Sequence, residues 1–180
     1  MIVDVGTGDG RAVLARAADD PAALVIGVDA VAASMAEASR RADRRGPSNV
    51  LFLAAGVETL PASPLTGSAD LVTVTFPWGS LLLGVLGLDE HALCGVAAVA
   101  RPAARIEVLT SVVPSDGIPG IERLDAAWRA GIEAAWSVAG LELTSMCEAA
   151  PPDFTVASSS WARRLGAERA AWRLEGVRSR

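Results

Sequence analysis

Runs of apolar residues alternate with mixed segments along the chain, and this alternation predicts strands that take turns with helices. Most of the apolar runs are short and nearly uninterrupted, as in strands that are buried on both faces of a sheet. They predict strands at residues 2–5, 24–28, 50–53, 70–75, 105–109, 141–147 and 170–177. The segments between them predict helices at residues 11–18, 32–45, 89–99 and 121–139, and one or two helical turns at 160–165.

This order of elements predicts the fold class. Strands that alternate with helices form a parallel sheet with helices on both faces, because each crossover is right-handed. We therefore expect a doubly wound α/β fold. The chain contains no internal repeat and no linker-like stretch, so we expect one domain over residues 1–180.

Composition and charge narrow the range of functions. The chain has 180 residues, 51% of them apolar, and a net charge of −5, so no global basic charge suggests a nucleic-acid-binding protein. The two cysteines do not have the spacing of metal ligands, and we expect no metal. Neither a signal peptide nor a membrane span is predicted, which indicates a cytoplasmic protein without a membrane partner.

The turn after the first predicted strand is a candidate cofactor site. Gly6, Thr7 and Gly8 open it, and Asp29 ends the next strand about twenty residues on, where a carboxylate can accept hydrogen bonds from ribose hydroxyls. The alternative is a tight structural turn and a capping aspartate. Between two cofactors, the short glycine spacing and the acidic Asp9 favour S-adenosylmethionine, because Asp9 would repel the pyrophosphate of a dinucleotide.

Two further loops lie at the same predicted edge of the sheet. Small residues around Ala55 leave room for an adenine ring, and Glu58 faces either the ligand or solvent. After the fourth strand, Trp78 stands between Pro77 and Gly79 in a loop, where an indole can serve as a stacking platform. The alternative for Trp78 is ordinary packing in the core.

Basic residues cluster in two places in this otherwise acidic chain. One cluster follows the second strand and consists of Arg40, Arg41, Arg44 and Arg45; the other surrounds and follows Trp161. Such runs are usually solvated surface, but two basic patches and two loop tryptophans indicate a local polyanion site. Aromatic side chains that hold a flipped base would be consistent with it.

Four motifs make the chain resemble the aminoglycoside-resistance 16S ribosomal RNA (adenine-1408, N1) methyltransferases, the Kam family. The motifs are V-D-V-G-T-G-D-G at 3–10, E-T-L-P at 58–61, P-W-G-S-L-L-x-G-V-L-G at 77–87 and S-W-x-R-R-L at 160–165. The first is generic to enzymes that use S-adenosylmethionine, whereas the third and fourth together are far more specific. The chain begins at the first motif, where family members carry a preceding segment, and Ala171 stands where they have a basic residue.

The resemblance implies a function and a set of site residues. It implies a class I methyltransferase with a seven-stranded, mostly parallel sheet that binds S-adenosylmethionine and methylates 16S rRNA in the 30S subunit. Catalytic roles fall on Trp78 and Trp161, which would stack on the flipped adenine, and on Ser159. The cofactor-binding residues would be Asp4, Gly6, Thr7, Gly8, Asp29, Ala30, Ala55, Glu58 and Pro77. RNA contacts would be made by Arg40, Arg41, Arg44, Arg45, Arg164 and Arg169.

The chemistry requires mainly positioning, since adenine N1 carries an in-plane lone pair and the donor methyl is already activated by its sulfonium. We expect a monomer. Three alternatives stay open: a methyltransferase for a small molecule, a homologue that binds the cofactor or RNA without transfer, and an NAD-binding oxidoreductase. Weakening of the reaction by salt would favour RNA over a small molecule, because phosphate contacts are screened.

Overall fold

The computed structural model describes residues 1–118, 120–121, 123–150 and 170–179, with the side chains of Arg45 and Ser115 left out. The seven predicted strands are confirmed within these residues. They are β1 (Ile2–Val5), β2 (Val25–Asp29), β3 (Val50–Ala54), β4 (Ala69–Thr75), β5 (Ala100–Thr110), β6 (Leu141–Glu148) and β7 (Trp172–Arg178).

The strands form one sheet in the order β3-β2-β1-β4-β5-β7-β6. Neighbouring strands from β3 to β5 are parallel, whereas β7 runs antiparallel to both β5 and β6. The expected doubly wound α/β fold with a mostly parallel sheet is confirmed. The strand order reverses between β1 and β4, and ligands in such sheets bind in the crevice at the carboxyl ends of the strands beside that reversal.

Helices pack with two separate apolar clusters, one on each side of the sheet. The described helices are α1 (Arg11–Asp19), α2 (Ala32–Arg45), α3 (Gly79–Val85), α4 (Glu90–Val99) and α5 (Arg129–Val138). Side chains of α1 join a small cluster with Val25 and Val50. Side chains of α3, α4 and α5 join the larger core with alternate residues of the central strands, such as Val72 and Val74.

Two predicted boundaries were wrong. The helix expected from residue 121 begins only at Arg129, after a short 3-10 turn over Ala126–Trp128 that Asp125 caps by accepting the Ala127 N–H at 2.8 Å. Ile121 and Leu124 are buried in the core from the preceding loop, so their apolar character reflects loop packing. Strand β5 begins at Ala100 and not at residue 105, because its first residues pair with β4 across a register shift.

Helix α3 was not expected at all. It begins directly after Trp78 and contains two glycines, which lower helix propensity in isolation. Leu81, Leu82 and Val85 are buried in the larger core, and this burial stabilises the helix in place of propensity.

No single helix in the described residues is long and apolar enough to cross a membrane; the bent pair Gly79–Val85 and Glu90–Val99 passes that test by length and composition only.

Candidate active site

The turn between β1 and α1 requires glycine for two physical reasons. Gly6, Gly8 and Gly10 all have positive φ, at 76°, 60° and 71°, a conformation that other residues adopt only with strain. At Gly6 a β-carbon would also lie 2.5 Å from the Cδ2 of Leu81. At Gly8 the same position meets no atom within 4 Å, so the backbone there faces open space.

Asp29 connects this turn to the end of β2. One carboxylate oxygen accepts the N–H of Gly8 at 2.8 Å, and the other accepts the N–H of Val31 at 2.8 Å. The side chain is only partly buried, and each carboxylate oxygen retains a lone pair for a further donor. Asp29 is therefore held in one orientation with acceptors available to a ligand.

A cleft of about 400 Å³ lies at the carboxyl edge of the sheet, beside the reversal between β1 and β4. Cavities of this size hold drug-sized ligands. The described residues that line it are Val5, Gly6, Thr7, Gly8, Asp9, Asp29, Ala30, Val31, Ala55, Val57, Thr75, Phe76, Pro77, Trp78, Ser80 and Leu81. The two charged residues among them, Asp9 and Asp29, are both acidic, so this cleft favours a cationic ligand over a pyrophosphate.

Trp78 lies on the wall of the cleft with 48% of its surface exposed, and it is not packed in the core. The backbone before it is unusual. Phe76 is buried at 5% exposure with φ at +46°, and its N–H donates to the Leu109 carbonyl at 2.7 Å. A bulky residue in the left-handed region immediately before a proline is strained, and such strain clusters at functional sites.

Most of the residues expected to bind the cofactor are brought together here. Gly6, Thr7, Gly8 and Asp29 line the cleft, as do the three other expected residues Ala30, Ala55 and Pro77. Glu58 does not line it: this residue is exposed within the 3-10 turn Val57–Ala62.

Asp4 also lies away from the cleft. Its carboxylate accepts the Thr73 hydroxyl at 2.6 Å and faces a second cavity of about 170 Å³, whose wall includes Arg16 and Thr75. Burial raises the pKa of the Asp4 carboxyl, while the Thr73 hydrogen bond and the Arg16 charge oppose that rise. Because Thr75 lines both cavities, Asp4 is a neighbour of the cleft and not part of its wall.

The first basic cluster forms an exposed face of α2. Met35 and Ala38 are buried beneath the helix, whereas Arg40, Arg41 and Arg44 are exposed. The Arg40 guanidinium donates to Glu37 at 2.8 Å, which lowers the pKa of that carboxyl. Arg45 ends the helix. Ser159, Trp161, Arg164 and Arg169 lie outside the described residues.

Some lining residues were not singled out from the sequence. Val31 is 57% exposed and lies two residues after Asp29, and an exposed apolar residue so close to a strand-end acid is a signal that the sequence offered. Ser80 and Leu81 come into the cleft through the unexpected helix α3. In the described ranges, no group of three or more His, Cys, Asp and Glu side chains is arranged to hold a metal ion.

Comparison with known proteins identifies the relatives of this chain. The family model described as "NpmA: 16S rRNA (adenine(1408)-N(1))-methyltransferase" matches residues 1–178. The chain belongs to the 16S rRNA (adenine(1408)-N(1))-methyltransferase family. The expected resemblance is thus confirmed.

Individual members of the 16S rRNA (adenine(1408)-N(1))-methyltransferase family are similar in sequence to this chain over most of its length. The enzyme of that name from Streptoalloteichus hindustanus is 37% identical over 182 residues, which cover 94% of this chain and 81% of the relative. The enzyme from Escherichia coli is 29% identical, with coverage of 97% and 85%.

Solved structures of the family share the fold. The W203A mutant of the Catenulisporales acidiphilia enzyme with cosubstrate SAM has a TM-score of 0.88 at 33% identity, covering 99% of this chain and 85% of that one. The crystal structure of the 16S rRNA methyltransferase KamB has a TM-score of 0.88 at 31% identity, covering 99% and 87%. The class I methyltransferase fold expected from the motifs is confirmed.

Proposed function

We propose that this chain transfers a methyl group from S-adenosylmethionine to N1 of adenine-1408 in the 16S rRNA of the 30S subunit, a modification that can confer aminoglycoside resistance. The proposal rests on one observation: in a member of this family, the half-exposed indole of Trp78 stands on the wall of an acidic cleft at the strand-order reversal.

The residues of the cleft fit S-adenosylmethionine. Asp29 is held by two backbone N–H groups and offers its remaining lone pairs to the ribose hydroxyls. The open backbone at Gly8 lets the ligand come close, and the apolar side chains of Val31 and Leu81 suit the adenine ring. When bound, this cofactor supplies a methyl group already activated by a positively charged sulfur.

The chain's contribution to catalysis is to hold the base. Trp78 stacks on one face of the flipped adenine and Trp161 stacks on the other, so that stacking offsets the cost of extrusion. Ser159 helps to hold the base. Adenine N1 is unprotonated at neutral pH, and no general base is needed to expose its lone pair. Alignment of N1 with the methyl and exclusion of water then account for the rate.

The basic residues bind the RNA backbone. The exposed arginines of α2 and the arginines that follow Trp161 bind phosphates and set the register of the enzyme on the subunit. The residues assigned to this role are Arg40, Arg41, Arg44, Arg45, Arg164 and Arg169. Docking of this kind weakens as salt rises, because counterions compete for the phosphates.

We further propose that residues 1–180 act as one domain and one monomer, without a metal, on the assembled 30S subunit. The reaction takes place in the cytoplasm, where ribosomes are found.

Incubation of 30S subunits with the protein and S-adenosylmethionine tests the function. Primer extension across the decoding site is expected to stop at adenine-1408, because methylation of N1 blocks base pairing. A Trp78→Ala sample provides the control and is expected to give full-length product. Transfer to a small metabolite without RNA, or a wild type that binds the cofactor and marks no nucleotide, would refute the proposal.

A further inference from the structure

The second acid of the cleft, Asp9, has no ligand group assigned to it. Asp9 lines the cleft together with Asp29, and no basic side chain stands among the described residues of that wall. The Asp9 side chain is 29% exposed, so water still reaches it in the empty cleft. A carboxylate that loses its water to a ligand without gaining a donor weakens binding. A ligand of this cleft must therefore bring a cation or an N–H group to Asp9.

The turn itself does not require a charge at position 9. One Asp9 oxygen accepts the backbone N–H of Arg11 at 3.2 Å, and the other lies 3.5 Å from the Arg11 Nε. The first contact is a local turn that the side-chain oxygen of asparagine makes equally well. The second joins two side chains that water reaches, and ion pairs of that kind contribute little to stability. The negative charge of Asp9 is therefore available to a ligand.

The order of the residues along the wall shows which part of the cofactor reaches Asp9. One oxygen of Asp29 accepts the Gly8 N–H and the other accepts the Val31 N–H, both at 2.8 Å, so Asp29 lies between Val31 and the Gly8–Asp9 segment. Val31 is assigned to the adenine ring and Asp29 to the ribose. The order Val31, Asp29, Asp9 therefore matches the order of adenine, ribose and methionine in S-adenosylmethionine, and Asp9 stands at the methionine end.

Hydrogen-bonding capacity decides between the two positive groups at that end of the cofactor. The sulfonium has no N–H or O–H bond, whereas the α-ammonium of the methionine part carries N–H donors. A carboxylate has several acceptor positions, and the Arg11 N–H takes only one of those of Asp9. Hydrogen bonds between ionised partners are roughly twice as strong as neutral ones, so the ammonium is the better match for Asp9.

We propose that the Asp9 carboxylate binds the α-ammonium of the cofactor by a charge-assisted hydrogen bond, which replaces its ion pair with Arg11. The sulfur of S-adenosylmethionine lies between the ribose and the methionine part, so Asp29 and Asp9 hold the cofactor on both sides of the sulfur. Two such contacts restrict the direction of the methyl group, which is the positioning that transfer needs. This inference rests on the proposed function and names the residue that holds the second end of the cofactor.

Asp9→Asn tests the inference, because asparagine keeps an acceptor for the Arg11 N–H and removes only the charge. The dissociation constant for S-adenosylhomocysteine, measured by isothermal titration calorimetry, is expected to rise about 10-fold, since hydrogen bonds to charged groups are the strong ones. Binding of S-adenosylmethionine is expected to weaken by the same factor, because both ligands carry the ammonium. The affinity for 5′-methylthioadenosine, which has the adenosine and the sulfur but no amino-acid part, is expected to stay within about twofold.

Two control variants separate the charge at position 9 from other effects. Asp19→Asn makes the same change in net charge at an exposed position of α1, and it is expected to leave the affinities for all of these ligands unchanged. Arg11→Ala removes the ion-pair partner of Asp9. Its affinity for S-adenosylhomocysteine is expected to be equal to that of the wild type or up to about threefold higher, because a weakly competing cation is gone.

Several results would overturn the inference. Unchanged affinity of Asp9→Asn for S-adenosylhomocysteine would show that Asp9 does not bind the ammonium, and weakening of S-adenosylmethionine alone would assign Asp9 to the sulfonium. Equal weakening of 5′-methylthioadenosine, or a loss in Arg11→Ala as large as that in Asp9→Asn, would show that Asp9 only stabilises the turn. In each case the proposed function stands as long as the wild type gives the stop at adenine-1408. A wild type that binds neither S-adenosylmethionine nor S-adenosylhomocysteine refutes the proposed function and the inference together.

Discussion

The two halves of the cleft differ in how firmly the backbone and side chains are held. On the side of β1 and β2, both oxygens of Asp29 accept backbone N–H groups, and three glycines adopt the conformations that the turn needs. On the side of β4, Phe76 is strained and Trp78 is half-exposed. The first side is preorganised for a small ligand, whereas the second presents an indole to solvent from a strained turn.

Replacement of Trp78 by alanine is expected to show the largest difference between the two halves of the cleft, because it affects methyl transfer and not cofactor binding. Methyl transfer to 30S subunits is expected to fall by about 100-fold, since base–aromatic stacking contributes roughly 1–3 kcal/mol per base. Affinity for S-adenosylmethionine, measured by calorimetry, is expected to stay within twofold. Loss of cofactor affinity along with transfer would mean that Trp78 belongs to the preorganised side.

Replacement of Asp29 by alanine perturbs the other half. The dissociation constant for S-adenosylmethionine is expected to rise about 10- to 100-fold, because hydrogen bonds to a charged group are the strong ones. Isothermal titration calorimetry measures it, with Asp19→Ala, an exposed acid on α1, as the matched control. An unchanged affinity for S-adenosylmethionine would show that Asp29 does not bind the ribose.

The arginines of α2 are expected to affect docking but not chemistry. In Arg40→Ala/Arg41→Ala/Arg44→Ala, the KM for 30S subunits is expected to rise about 10-fold with kcat unchanged, and the salt dependence of KM to weaken. Arg40 contributes the least, because Glu37 already pairs with it at 2.8 Å.

A control triple with the same change in net charge is Arg101→Ala/Arg105→Ala/Arg129→Ala, which lies on β5 and α5. Equal effects of the two triples would indicate that the overall charge of the protein, and not the α2 face, determines RNA affinity.

The smallest expected effect concerns Asp4 and stability. Burial raises the pKa of this carboxyl above its ordinary value of 3.8, so the folded state binds the proton more tightly than the unfolded state. The stabilisation from that proton is present at low pH and is lost as pH rises through the folded-state pKa. Asp4→Asn is therefore expected to melt at a higher temperature than the wild type near pH 7.5, with the difference shrinking towards pH 4.

Thermal denaturation at a series of pH values measures this difference. A lower melting temperature for Asp4→Asn at neutral pH would mean that the Arg16 charge and the Thr73 hydrogen bond outweigh burial.

The sequence predicted the parts of the molecule that local pattern determines. All seven strands and the glycine turn with Asp29 follow from apolar runs and from spacing, and the structure joins that turn to Asp29 at 2.8 Å. Tertiary packing and capping determine the elements that the sequence did not predict. Helix α3 forms because Leu81 and Leu82 are buried, and the segment before α5 is a loop because Asp125 caps a later start.

Side-chain direction was the harder part of the site to predict. Asp4 belongs to the same motif as Gly6, yet strand alternation turns its carboxylate towards Thr73 and the second cavity.

The most direct test of the account is nucleoside analysis of the product. 30S subunits are incubated with the protein and S-adenosylmethionine labelled in its methyl group, the 16S rRNA is digested to nucleosides, and the label is located by chromatography. Label is expected to appear as 1-methyladenosine with the wild type and to be nearly lost with Trp78→Ala, which still binds the cofactor. Label in any other nucleoside, or undiminished transfer by Trp78→Ala, would contradict it.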